Sequence, residues 1–308
     1  MIYTKKDCGS YNLHKINTDK FKTIAVKVIF RSPIEKDKIT TRNILSDLFM
    51  QSSSKYRSKR ELTIKAQDLY AAEVSINNNR LGNYITTTFS LNLLNDRYTE
   101  KDNFKKSIEF LSEIIFNPDV SDDKFNKEKV DIVKSNCRSS LNSIKEDSSN
   151  YSLIRMLEEL DRNSPCSYRL AGYLDDLDKI DEKSLYVYYQ NMLKSDLVDI
   201  FVLGDVDCDV VSKMFREFFN LRTLKKQKVP YLLEEKNVKN KSVYNEKIDN
   251  SQSKLSIACR CNDLSDYERN YVLTLYNVIL GGGCDSKLFK EVREEHSLCY
   301  TIYSVPIS

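Results

Sequence analysis

Apolar and polar positions along the chain switch between two periods, and the switches mark the elements. Residues 23–30 (Thr-Ile-Ala-Val-Lys-Val-Ile-Phe) are rich in β-branched side chains at period two, and Pro33 ends the run. With residues 11–16 before them and a turn over 17–20, they predict a strand pair. Ile44, Leu45, Leu48 and Phe49 then recur at helical spacing, with Thr40 or Thr41 placed to cap the helix. Ser58-Lys-Arg-Glu61 reads as a capping box opening a second helix through Leu62, Ala66 and Leu69. Strands follow over 73–77 and 84–94, joined across 77–82. Helices are predicted over 102–115, stopped by Asn117-Pro118, then over 121–143, 151–160 and 184–194. A buried-type strand over 197–203 runs into Gly204-Asp205, and a helix over 210–219 closes the series.

That order, strand pair, helices, strand pair, long helices, predicts an α+β fold: a mostly antiparallel sheet with helices packed on one face. Residues 223–242 are Lys-rich and show no periodicity, which marks a linker. The strand-pair pattern restarts over 243–261. At 308 residues the chain exceeds one ordinary core, so the reading is a first domain over 1–222 and a second beginning at 243 and running to 308.

The second domain carries the most distinctive string. A helix over 267–280 runs into Gly281-Gly-Gly283, three of the seven glycines in the chain, which suit left-handed backbone. Asp285 or Ser286 can cap a further helix with Leu288, Phe289 and Val292 on one face. From Leu298 the period returns to two, through Tyr300 and Ile302, predicting a strand. The glycines lack the spacing of a phosphate-binding loop or a dinucleotide fingerprint.

Composition narrows the chemistry. With 48 basic and 45 acidic residues the net charge is +3, so no strong field favours nucleic acid. No apolar run approaches the ~20 residues of a membrane span. The eight cysteines are scattered without a Cys-x-x-Cys pair, and no basic-then-apolar leader is present, which leads to the expectation of reduced thiols and a cytoplasmic protein. Asp205, Asp207 and Asp209 lack the glycine and distal glutamate of a calcium loop and read as a turn into the next helix. The whole chain holds two histidines, His14 and His296, whereas zinc hydrolases usually take most of their ligands from histidine.

The string from Leu280 through Gly281, Gly282 and Gly283 to Ser286-Lys-Leu-Phe289, with Arg293 seven residues before Tyr300, resembles the second-half signature of the insulinase/pitrilysin (inverzincin) peptidase family. The resemblance continues through most of the chain, at residues 20–23, 68–71 and 170–189 and at the strand ending in Gly204-Asp205. It implies tandem insulinase-like halves with the second incomplete, since a family second half runs on for roughly another hundred residues. In the family a His-x-x-Glu-His helix binds zinc and activates water. Alignment puts Asn43, Ser46 and Asp47 at those positions, and the third ligand falls near Lys134-Ser135. The degenerate motif implies no zinc in this chain and no catalysis. It is similar to a non-catalytic bacterial subfamily, labelled elongation factor P 5-aminopentanol modification-associated, usually encoded beside an active paralog. The resemblance therefore implies a silent subunit that binds peptide or pairs with an active zinc peptidase paralog, with Arg293 and Tyr300 as its peptide-holding residues. Two alternatives stand beside it. One is an active zinc metallopeptidase with atypical ligands, such as Asp47 with His14 or Glu73; the other is a stand-alone peptide-binding scaffold.

Overall fold

The computed structural model describes residues 2–219 and 242–306. Almost all of the expected 223–242 linker therefore lies outside the described residues. In chain order the elements are β1 (Ile2–Asp7), β2 (Asn12–Asn17), β3 (Thr23–Pro33), α1 (Ile39–Leu48), α2 (Lys59–Asp68), β4 (Glu73–Leu81) and β5 (Tyr84–Leu94). There follow α3 (Asn103–Phe116), the two-residue strands β6 (Val120–Ser121) and β7 (Lys124–Phe125), α4 (Lys127–Ser143), α5 (Ser148–Leu160) and α6 (Leu174–Leu177). The series continues with α7 (Glu182–Ser195), β8 (Leu197–Gly204), α8 (Cys208–Phe218) and α9 (Leu273–Gly281).

The chain divides into two compact units. The first comprises Met1–Leu233 with Glu246–Ser256, and the second Glu234–Asn245 with Ile257–Ser308. The first unit is an α+β layer built on a six-stranded sheet of order β1-β2-β8-β3-β5-β4. All neighbours run antiparallel except β2 and β8.

The predicted strand pair over 11–30 is not a hairpin. Its two strands exist, but β8 lies between them, parallel to β2 and antiparallel to β3. Val198, Ile200 and Val202 of β8 are buried beside Val26, Val28 and Phe30 of β3, and a central position is what buries them. Each such side chain contributes roughly 1.5–3 kcal/mol when fully buried, which outweighs the small entropic advantage of pairing a near neighbour.

The sheet's buried face, with Phe89 and Leu91 of β5, forms one core with the apolar stripes of α1 (Ile44, Leu45, Leu48), α3 (Ile108, Leu111, Ile115) and α7 (Leu185, Tyr189, Met192). Phe49, which caps α1, meets Phe89 edge-on at 5.2 Å and Tyr189 at 5.8 Å, fixing the helix against both sheet and α7.

Local signals fared unevenly. Ser58 caps α2, accepting from the Glu61 amide at 3.2 Å, and Asp207 caps α8 through the Asp209 and Val210 amides, so the acidic stretch is a turn. Neither Thr40 nor Thr41 caps α1. The helix follows a 3₁₀ turn over Lys36–Lys38, and the Thr40 hydroxyl accepts from the Tyr173 amide at 2.9 Å instead. The loop expected over 77–82 is mostly strand: β4 runs to Leu81, and Gly82, at φ 58°, makes the tight turn with Asn83.

In the second unit a π-helical segment (Glu268–Val272) leads into α9, and a further π-helical segment spans Phe289–Glu295, with the Ser286 hydroxyl accepting from the Phe289 amide. The strands expected over 243–261 and from Leu298 form no ladder among the described residues. Leu255 and Ile257, within the 243–261 stretch, are 85% and 82% exposed. A β-pattern becomes a strand only where a neighbour takes its N–H and C=O groups.

The glycine triplet is also different from expectation. None of Gly281, Gly282 and Gly283 is at positive φ; the glycines that are, among the described residues, are Gly9, Gly82, Gly172 and Gly204. Gly281 and Gly282 serve close approach. A Cβ at Gly281 would lie 2.6 Å from the Ser304 amide nitrogen, and one at Gly282 would lie 2.7 Å from the Val278 Cα.

Candidate functional site

The aligned zinc-motif positions fall on α1, a helix held between the sheet and α7 by the aromatic contacts above. Asn43 and Asp47 are one turn apart, and Ser46 is turned toward β4. The side chains of Asn43 and Ser46 are engaged with protein. Asn43 Nδ2 donates to the Leu170 carbonyl at 2.6 Å, and its Oδ1 accepts from Asn78 Nδ2 at 2.8 Å. Ser46 Oγ lies 2.9 Å from the Arg42 carbonyl and 3.1 Å from Asn78 Oδ1. Thr87 Oγ1 donates to the same Asn78 oxygen at 2.6 Å and accepts from Arg42 Nε at 2.7 Å.

Arg42 continues this network into the interior. It is 1% exposed, and its Nη2 donates to the Phe30 carbonyl at 3.0 Å and to Asp196 Oδ2 at 2.8 Å. Its Nη1 donates to Ser32 Oγ at 3.0 Å and to the Tyr188 hydroxyl at 3.5 Å. Burial pushes the Asp196 carboxyl upward while the adjacent guanidinium pulls it back; burial opposes the Arg42 charge, yet Asp196 holds Arg42 above its ordinary range. These shifts point opposite ways for the ion pair. The bonding geometry decides it: five hydrogen bonds converge on the guanidinium, which supports a charged Arg42 facing a carboxylate.

Asp47 keeps an exposed edge, but burial holds its carboxyl above the usual range. Burial, and then the nearby Asp47 charge, push up the Cys137 thiol of α4. Lys134, in the Lys134-Ser135 stretch near which the third ligand would fall, gives its ammonium to the Ile180 carbonyl at 2.6 Å.

The donor set does not fit zinc. Position 43 presents an amide and position 46, the general-base position, a hydroxyl, both already bonded to protein groups; position 47 offers a lone carboxylate, and the Lys134-Ser135 stretch a cation and a hydroxyl. His14 does not supply the missing imidazole. It belongs to the opposite face of the sheet, stacked on Phe201 at 4.3 Å, with Nε2 3.2 Å from Asp199 and Nδ1 2.8 Å from the Tyr3 hydroxyl. Among the described residues, the grouping of three potential metal ligands is Glu291, Glu295 and His296, in the second unit, and all three are exposed.

Arg293 and Tyr300 lie in that unit too. The Arg293 guanidinium sits over the Phe289 ring at 4.5 Å, and Tyr300 is 85% exposed.

The residues that sequence reasoning missed are Asn78, Thr87, Arg42 and Asp196. For Asn78 a signal existed. Val74, Ile76 and Asn78 share one face at period two, and carrying that alternation through the asparagines would have placed Asn78 against α1. The Arg42–Asp196 pair spans 154 positions and had no local signature.

A family profile described as "Peptidase M16 inactive domain" matches residues 179–308. The chain is 28% identical over 299 residues to the Bacillus subtilis (strain 168) protein named "Probable inactive metalloprotease YmfF", covering 96% of this chain and 70% of that one. A crystal structure of a conserved protein from Enterococcus faecalis V583 superposes with a TM-score of 0.85 at 27% identity, over 97% of this chain and 71% of the other. The peptidase M16 inactive domain from Pseudomonas fluorescens shares the fold, with a TM-score of 0.68 at 13% identity over 98% of this chain and 70% of its own. No helix among the described residues is long and apolar enough to cross a membrane. The sheet with its one-sided helices, the glycine string of the second unit and these similarities point the same way: the chain is similar to proteins of the insulinase/pitrilysin-like M16 peptidase family, with the inactive-domain profile matching over residues 179–308.

Proposed function

We propose that this chain is a catalytically silent M16-type subunit that binds peptide and pairs with an active zinc peptidase paralog. The observation that carries the reading is the α1 network. Asn43 and Ser46 are bonded to Asn78, and Asn43 also to Leu170, with no imidazole or free carboxylate pair to hold a metal and no general base at position 46. The relative named as an inactive metalloprotease supports the same conclusion. Two tandem halves, 1–222 and 243 onward with 223–242 between them, are the organisation proposed.

The test has two arms. Elemental analysis of the purified chain is expected to find no stoichiometric zinc, and no chelator-sensitive peptidase activity. Co-expression with a paralog carrying His-x-x-Glu-His is expected to yield a stable complex that cleaves peptides. One equivalent of zinc with chelator-sensitive activity on the chain alone would restore the atypical-ligand metallopeptidase. In the complex, Arg293→Ala and Tyr300→Phe are each expected to weaken peptide processing by about 1–2 kcal/mol for a lost hydrogen bond, without loss of complex yield.

A second reading, a stand-alone peptide-binding scaffold, is favoured by β4. This nine-residue strand lies at the sheet edge, where an extended peptide could add. Peptide affinity that is independent of any paralog would select it.

A further inference from the structure

We infer that Asn78 is the residue that closes this site to metal, so that silence is built into β4 as well as into the motif positions on α1. The inference rests on the metal-free reading above. Its basis is the place of one side-chain amide. Asn78 Nδ2 donates to Asn43 Oδ1 at 2.8 Å, while Asn78 Oδ1 accepts from Thr87 Oγ1 at 2.6 Å and lies 3.1 Å from Ser46 Oγ, whose single proton is shared with the Arg42 carbonyl at 2.9 Å. The positions of the first ligand and of the general base are thus each one hydrogen bond from the same amide. Zinc needs ligand atoms at about 2.0–2.2 Å and an open position for water. In front of positions 43 and 46 that space holds an amide group.

The amide is itself held in place. The Thr87 hydroxyl that bonds to it accepts from Arg42 Nε at 2.7 Å, and Arg42 is fixed by the Phe30 carbonyl and Asp196. Displacing Asn78 would leave Asn43 Oδ1 and the Thr87 hydroxyl proton without this partner, and Thr87 is 1% exposed, so water would not readily replace it; Ser46 keeps the Arg42 carbonyl. Longer side chains at 43 and 46 must therefore work against a network anchored in the core. Restoring the motif on α1 alone leaves the amide in the way; removing it as well strengthens zinc binding.

Two proteins test this. Both carry Asn43→His, Ser46→Glu, Asp47→His and Ser135→Glu, and one also carries Asn78→Ala. Each is titrated with zinc chloride by calorimetry and melted with and without zinc. The Asn78→Ala protein is expected to bind one zinc more tightly by on the order of ten- to a hundredfold, and to gain melting temperature on zinc addition. Equal affinities overturn the inference. Because a fourfold variant can fail to fold, the single Asn78→Ala variant of the native chain is measured too. A lower melting temperature and faster amide exchange in α1 are expected, and an unchanged melting temperature overturns the hub. Stoichiometric zinc on the native chain would overturn the metal-free reading and this inference together. Zinc bound equally by both redesigned proteins, with none on the native chain, would overturn the inference alone.

Discussion

The Asp196→Ala variant probes the interior of the α1 network most directly. The side chains of Arg42 and Asp196 are 1% and 4% exposed, and their closest atoms are 2.8 Å apart. Removing the carboxylate leaves the guanidinium its bonds to Thr87, Ser32, Tyr188 and the Phe30 carbonyl, all neutral groups, and strips away its counter-charge. Breaking a buried pair from one side costs about 3–5 kcal/mol, because the remaining charge is uncompensated in a medium that solvates it poorly. Against a total stability of about 5–15 kcal/mol this is a large share. At about 2–4 °C per kcal/mol for domains of 150–250 residues, the melting temperature should fall by roughly 6–20 °C. The double variant Arg42→Met with Asp196→Leu removes both charges and is expected to recover a large part of the loss. Thermal and urea unfolding of the wild type, both single variants and the double variant complete the cycle. If Asp196→Ala costs less than about 1 kcal/mol, or the double variant is no better than the single, then the pair is not the buried, compensated ion pair described.

Glu158 provides the pH dependence. Burial pushes its carboxyl up, but the Arg169 guanidinium, with Nε at 2.5 Å, and Arg155 outweigh that and hold it below the usual range. A depressed folded pKa contributes stability that is present above the unfolded value of about 4.3 and is lost as pH falls through the folded value. Urea midpoints should therefore decline below about pH 4 in the wild type, and Glu158→Gln should flatten that part of the decline; identical profiles would refute the assignment. The glycine triplet should respond unequally to alanine. Gly281→Ala puts a Cβ against the Ser304 amide and should break its 3.1 Å bond to the Gly281 carbonyl, seen as faster exchange of the Ser304 amide. Gly283→Ala meets nothing within 4 Å and should leave that amide unchanged.

Much of the fold was legible because it depends on local periodicity. The apolar stripe of α1, the alternation of β3 and β5, the Ser58 cap and the Asn117-Pro118 stop are consequences of side-chain geometry within a few residues, and the structure contains each of them. The α+β class followed from their order. The sequence also carried the absence of imidazole at positions 43 and 47, since composition alone limits the chain to two histidines. What it could not carry was partnership. The insertion of β8 between β2 and β3 is chosen by which pairing buries Val198, Ile200 and Val202, a property of the assembled sheet. The 243–261 segment shows the converse, a strand pattern that forms no ladder among the described residues. Asn78 reads in sequence as one of three loop asparagines, and only the sheet's register against α1 turns its amide into the group that joins Asn43, Ser46 and Thr87. Local structure is decided by neighbours along the chain; a site is decided by neighbours across it, and those are set by burial and hydrogen-bond satisfaction over the whole fold.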